Sequence, residues 1–139
     1  MSNLVFLDAS FWVAYREDGG AWQPEARRAL YELFRQRTQF VTTLPVLCEI
    51  HAAFSRNRRV RGEVLRELFH NPLVAIEEIS NQDQKLALGL LQSSQDKTYS
   101  LCDALSFVIM RRLNIRRAAT FDKHFRQFGE FDIIPENFP

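Results

Sequence analysis

Leu4-Val5-Phe6-Leu7-Asp8 is the stretch that decides how this chain folds. Four apolar residues with no polar one among them, ended abruptly by a carboxylate, fit a strand buried on both faces. An alternating pattern would have marked a strand with one wet face. Strands buried on both sides belong to parallel sheets sandwiched between helices, and the rest of the chain has the parts for one. Short strand-like runs lie at 39–43, 74–76, 117–121 and 131–134. Between them come stretches of helical spacing. The first runs through Phe11, Trp12, Ala14 and Tyr15; Gly19-Gly20 closes it. Residues 22–35 follow, with Ala26, Ala29, Leu30, Leu33 and Phe34 on one face. A third helix starts near Pro45, where a missing N–H costs least, and carries Leu47, Ile50 and Phe54. Residues 64–69 form a fourth, stopped by Asn71-Pro72, and 84–91, 101–113 and 123–128 complete the set. The alternation predicts one α/β domain over 1–139, with a central, mainly parallel five-stranded sheet and helices on both faces. In such folds ligands sit beyond the carboxyl ends of the strands, where strand order reverses.

Composition narrows the function classes. The 139 residues are 46% hydrophobic and 25% charged, ordinary for a globular domain, which argues against disorder. Eighteen Lys+Arg against 17 Asp+Glu give a net charge of only +1, so no strong global field draws the chain to nucleic acid or membrane. Cys48 and Cys102 make neither a CxxC pair nor a disulfide framework, and read as small core residues in a reducing cytosol. No basic leader precedes residues 4–7, and no apolar run approaches the roughly 20 residues needed to cross a bilayer. A soluble cytoplasmic protein is expected.

Carboxylates stand where chemistry is expected. Asp8 follows the first strand and Asp122 the fourth. Glu49 lies inside the third helix, and Asp103 in the first turn of the helix at 101–113. Plainer roles exist for three of them. Asp8 and Asp122 could each cap the following helix, and Ser100-Leu101-Cys102-Asp103 has capping-box spacing. Glu49, beside a buried stripe, needs an ion pair, a hydrogen bond or a metal. Convergence of all four in one crevice raises their pKa values unless a cation neutralises them. No His/Cys set has zinc spacing, so oxygen ligands point to Mg²⁺ or Mn²⁺, and a metal that activates water beside a phosphate points to phosphodiester hydrolysis.

Four motifs carry a resemblance over nearly the whole length. They are Val5-Phe6-Leu7-Asp8-Ala9-Ser10, Leu44-Pro45-Val46-Leu47-Cys48-Glu49, Ser100-Leu101-Cys102-Asp103-Ala104-Leu105-Ser106 and Thr120-Phe121-Asp122-Lys123-His124-Phe125. In these the chain resembles the PIN-domain family, and within it the VapC-type toxin ribonucleases of toxin–antitoxin systems. The resemblance implies a sheet in the order 3-2-1-4-5, which sets the first and fourth strands side by side. It implies that Asp8, Glu49, Asp103 and Asp122 hold Mg²⁺ or Mn²⁺, with Ser10 and Thr120 as supporting hydroxyls. It also implies an RNA substrate cut to 5′-phosphate and 3′-hydroxyl ends, a small antitoxin as partner, and a homodimer.

Of 18 basic residues 15 are arginine, clustered at Arg56, Arg58, Arg59 and Arg61 and again at Arg111, Arg112, Arg116 and Arg117. Guanidinium suits phosphate, and the first cluster is the better candidate for RNA; for the second, solvated faces with local ion pairs are the expectation. His124 reads as a surface histidine that could approach a leaving group, and Asp96 as a solvated linker residue. Trp12, Trp22, Tyr31 and Phe34 read mostly as core, with an exposed apolar patch for a partner as the alternative. Rival functions are less well supported. A haloacid-type phosphatase needs an aspartate where Ser10 stands, and a phospho-receiver domain needs a further acid near Asp8. From another class, a catalytically silent PIN-like RNA-binding or assembly module would not need intact acids.

Overall fold

A strand without a polar side chain is driven to the middle of a sheet, and β1 (Leu4–Leu7) takes that place, with Val5, Phe6 and Leu7 at most 1% exposed. The fold comes from a computed structural model, which describes residues 3–136. After β1 come α1 (Ala9–Arg16), α2 (Gln23–Arg35), β2 (Gln39–Thr43), α3 (Leu44–Ala53), α4 (Arg58–Phe69) and β3 (Val74–Glu77). Then follow α5 (Asn81–Ser93), α6 (Leu101–Arg112), β4 (Arg117–Ala119), α7 (Lys123–Phe128) and β5 (Asp132–Ile134). The strand order is β3-β2-β1-β4-β5 and every pairing is parallel. The expected mainly parallel sheet is wholly so. Order reverses between β1 and β4, whose register pairs Leu7 with Ala119, so the residues that follow these two strands emerge side by side.

Burial explains the helices. In α6 every residue from Asp103 to Met110 is buried, because the helix is covered by the sheet on one side and by α5 on the other. Its N-terminus is fixed by a reciprocal cap: Asp103 N donates to Ser100 Oγ, and Ser100 N donates to Asp103 Oδ2, both at 3.0 Å. α5 begins at Asn81, earlier than its apolar spacing suggests, because Ser80 and Asp83 form the same reciprocal pair. Asp83 is almost fully buried and is held by Arg112, whose Nε and Nη2 each lie 3.0 Å from a different carboxylate oxygen.

Several expectations are corrected. The helix read from residue 64 starts at Arg58, because Asn57 Oδ1 accepts from Val60 N as an N-cap and Val60, Val64 and Leu68 form one buried stripe. Arg58, Arg59 and Arg61 are therefore helical. Cys48 is exposed rather than core; it sits on the outer side of α3 while Val46, Leu47 and Ile50 face in. Trp12 is core, but Trp22, Tyr31 and Phe34 are 40%, 63% and 45% exposed. On α2, Tyr31 and Phe34 each follow a buried leucine by one position, about 100° round the helix and off its sheet-facing side. β4 ends at Ala119, two residues early, which frees Thr120 and Phe121 for the site below. The second arginine cluster is largely paired within the fold, as expected. Arg111 meets Glu130, Arg112 meets Asp83 and Glu77, and Arg117 meets Asn3 and Gln36.

Candidate active site

The turn after β1 places Asp8 at the N-cap position of α1, yet its carboxylate caps nothing. Asp8 Oδ2 instead accepts hydrogen bonds from Ser10 Oγ (2.6 Å) and from Thr120 Oγ1 (2.7 Å), which comes from the end of β4. The two hydroxyls lie 3.1 Å apart. Each also accepts from the chain beyond β4: Phe121 N donates to Ser10 Oγ and Asp122 N to Thr120 Oγ1, both at 2.9 Å. This ties the β1 and β4 turns into one rigid unit. Asp8 is buried, and burial is the main reason its pKa rises to about 6. The two hydroxyls oppose the rise, while the charges of Asp122 and Glu49 add to it.

Asp122 does cap its helix, accepting from His124 N at 2.9 Å. The capping role expected for Asp103 is real too. Neither role removes the residue from the crevice, because an oxygen of each carboxylate lies within 4.8 Å of one on the other. Burial first, then the charge of Asp122, pushes Asp103 up to about 7, against the Ser100 amide that lowers it.

His124 is not the surface residue that its place in a short helix suggests. Its side chain is 17% exposed, and Nδ1 lies 2.8 Å from Asp122 Oδ1 and 3.2 Å from Asp103 Oδ2. Neither approach has hydrogen-bond geometry, so Nδ1 is buried without a hydrogen-bond partner. Asp103, Asp122 and His124 each bring one donor atom within 4.8 Å of the others. A buried nitrogen without a hydrogen-bond partner, facing two carboxylates, suits a divalent cation. Spacing along the chain concealed His124, since nothing local says where its ring turns.

Glu49 stands apart. Its side chain is exposed, so the buried-glutamate reading is corrected, and it lies outside the tight group of donors. It is still near the crevice, because its charge raises the pKa values of Asp8 and of Cys102. Burial and the Glu49 charge drive the Cys102 pKa well up, so Cys102 stays a protonated thiol rather than a thiolate ligand. Asp96 is solvent-exposed, as expected. Arg59 pairs with Glu63 at 3.1 Å, and Arg61 donates to the Ser55 carbonyl. Arg56 and Arg58 are exposed and make no ion pair among the described residues.

A family model for the PIN domain matches residues 5–130, a span that takes in all four acids, β2, β3 and β4, and all of β1 but Leu4. The chain belongs to the PIN-domain family. Among PIN-domain relatives it is similar to the 23S rRNA-specific endonuclease VapC20 of Mycobacterium tuberculosis, in strains CDC 1551 / Oshkosh and ATCC 25618 / H37Rv. Identity is 29% over 135 residues, covering 96% of this chain and 100% of the relative. The crystal structure of Mycobacterium tuberculosis VapC20, described as a Sarcin-Ricin loop cleaving toxin, superposes with a TM-score of 0.82. That match has 27% identity and spans 97% of this chain and 99% of the other. In this PIN domain the strand order and the reversal between β1 and β4 are those the resemblance implied. No helix among the described residues is long and apolar enough to cross a membrane.

Proposed function

We propose that this PIN domain is a metal-dependent endoribonuclease of the toxin type, with one catalytic domain acting on structured RNA of the ribosomal class. One observation carries the reading: Asp8, Asp103 and Asp122 gather at the strand-order reversal, two of them with pKa values raised by burial and mutual charge. The proposed metal ligands are Asp103 and Asp122, with Asp8 and Glu49 contributing directly or through water, and Mg²⁺ or Mn²⁺ as the cation. When bound, such a cation stabilises charge on the scissile phosphate and makes water a better nucleophile. The chain's own residues do the positioning. Ser10 and Thr120 hold Asp8 Oδ2 in one orientation, the His124 amide holds Asp122 Oδ1, and the Ser100 amide holds Asp103 Oδ2. Oxygens fixed in this way do not have to be reorganised as charge develops.

Arg56 and Arg58, past the C-terminus of the helix that carries Glu49, are proposed to contact the RNA backbone, with Arg59 and Arg61 in lesser roles because they are already engaged. For partners, Tyr31 and Phe34, one helical turn apart on α2 and both exposed, offer aromatic rings suited to an antitoxin helix. Leu44, Leu88 and Leu101, each about half exposed, offer an apolar surface for a second copy. Two free thiols fit a reducing cytoplasm.

The test is cleavage of total RNA by purified protein, with the ends mapped. Activity should require Mg²⁺ or Mn²⁺, stop in excess EDTA, and vanish in Asp8→Asn and Asp103→Asn proteins that remain folded. Activity that persists in EDTA, or in both folded variants, refutes the proposal. A parent that binds RNA without cutting it under any metal is instead the silent binding module.

A further inference from the structure

We propose that His124 is a direct nitrogen ligand of this cation site, through Nδ1, and that it tunes the site toward Mn²⁺ over Mg²⁺. The inference rests on the metal-dependent reading above and deepens it.

The two ring nitrogens of His124 have separate surroundings. Nε2 lies 2.8 Å from Thr98 Oγ1, on the far side of the ring from the acids. With Nε2–H donating to that hydroxyl oxygen, Nδ1 carries the lone pair. Metal-binding histidines are commonly set up this way, one nitrogen hydrogen-bonded to fix the tautomer and the other left to ligate. Nδ1 is the nitrogen without a hydrogen-bond partner, 2.8 Å and 3.2 Å from oxygens of Asp122 and Asp103. A lone pair facing carboxylate oxygens at those distances is repelled unless something positive lies between them. The donors already stand within 4.8 Å of one another. Two ligands of a single ion, each about 2.2 Å from it, can be at most about 4.4 Å apart, so closure requires movements of a few tenths of an ångström.

The ring is also held in place. The edge of Tyr99 lies against it with centroids 5.7 Å apart, and the main-chain amide of His124 itself fixes Asp122. His124 thus positions a carboxylate with its backbone and completes the donor set with its side chain. The competing role is an imidazolium serving as a built-in counter-ion. At 2.8 Å a protonated Nδ1 would donate a hydrogen bond to Asp122, and the angle for one is absent. The two roles also differ in sign. Removing a ligand weakens metal binding, whereas removing a competing internal cation strengthens it.

Selectivity follows from donor chemistry. Mg²⁺ is a hard ion that keeps its waters and prefers oxygen, while Mn²⁺ stands in the transition-metal series that accepts imidazole more readily.

The experiment is pulsed electron paramagnetic resonance on the full chain loaded with Mn²⁺, together with calorimetric titration by Mn²⁺ and by Mg²⁺. The parent should show a ¹⁴N coupling to Mn²⁺ that disappears in His124→Asn and persists in Thr98→Val. Mn²⁺ affinity should fall at least about tenfold in His124→Asn, and Mg²⁺ affinity should fall less. The parent spectrum requires no variant to fold, and thermal melting in EDTA checks that His124→Asn does. Absence of nitrogen coupling in the parent overturns the inference while leaving an oxygen-ligated site intact. Unchanged or tighter Mn²⁺ binding in a folded His124→Asn protein overturns it as well. A parent that binds no Mn²⁺ at millimolar concentration defeats both this inference and the metal-dependent reading beneath it.

Discussion

Thr120 Oγ1 donates to Asp8 Oδ2 across 2.7 Å, although 112 positions separate them in the chain. The bond exists because β1 and β4 are neighbours in register, and because β4 stops one residue before Thr120. It makes a threonine at a strand end part of the geometry of a carboxylate at another.

Thr120→Val keeps the shape of the side chain and removes its oxygen. The buried Asp8 then loses a donor and the Asp122 amide loses its acceptor. We expect about 1–3 kcal/mol lower stability in urea denaturation, together with a weaker Mn²⁺-induced rise in melting temperature. A variant as stable as the parent and equally responsive to Mn²⁺ would count against the role given to this hydroxyl.

Asp103→Asn tests the electrostatics of the crevice with metal removed by EDTA. The Asp103 pKa is raised from 3.8 to about 7 in the folded protein. Between those values the folded state therefore holds a proton that the unfolded state has lost. Its contribution to stability is present below about pH 4 and is lost as pH rises toward 7. Asparagine does not titrate. The variant should accordingly gain melting temperature relative to the parent across this window, level off above it, and lose activity throughout. A difference that does not change with pH would show that Asp103 ionises normally.

Arg56→Ala combined with Arg58→Ala should leave melting temperature and single-turnover cleavage at saturating RNA close to those of the parent, because neither side chain makes an ion pair among the described residues. RNA affinity should fall, and the slope of log affinity against log salt should become shallower by about 1 for each phosphate that the variant no longer neutralises. An unchanged salt slope would remove these arginines from the RNA path.

Gly62 in α4 and Gly89 in α5 are exposed, and a Cβ at either would meet nothing within 4 Å. Alanine at each position should raise stability by about 0.5–1 kcal/mol in urea denaturation, through helix propensity alone. Destabilisation would mean that one of these surfaces is occupied.

Local interactions were legible in the sequence. A continuous apolar run identified the central strand. The Ser100–Asp103 spacing announced a capping box, since such a bond closes within four residues whatever lies around it. Ser80 and Asp83 have the same spacing and cap α5 in the same way; that signal was present, and the apolar periodicity of 84–91 masked it. The four acids could be named because each follows a strand or opens a helix, or, for Glu49, lies in one of the four motifs.

The elements, their parallel arrangement and the acids at their ends thus follow from bonds and periodicities a few residues long. Contacts between distant segments decided which way His124 turns, that Asp8 is clamped by Thr120 rather than capping α1, and that Arg112 is engaged by Asp83. It also decided that Tyr31 and Phe34 lie outside the core. Each of these depends on a neighbour brought in from another element by the order of the strands and the packing of the helices. Spacing along one segment carries no information about what lies across from it.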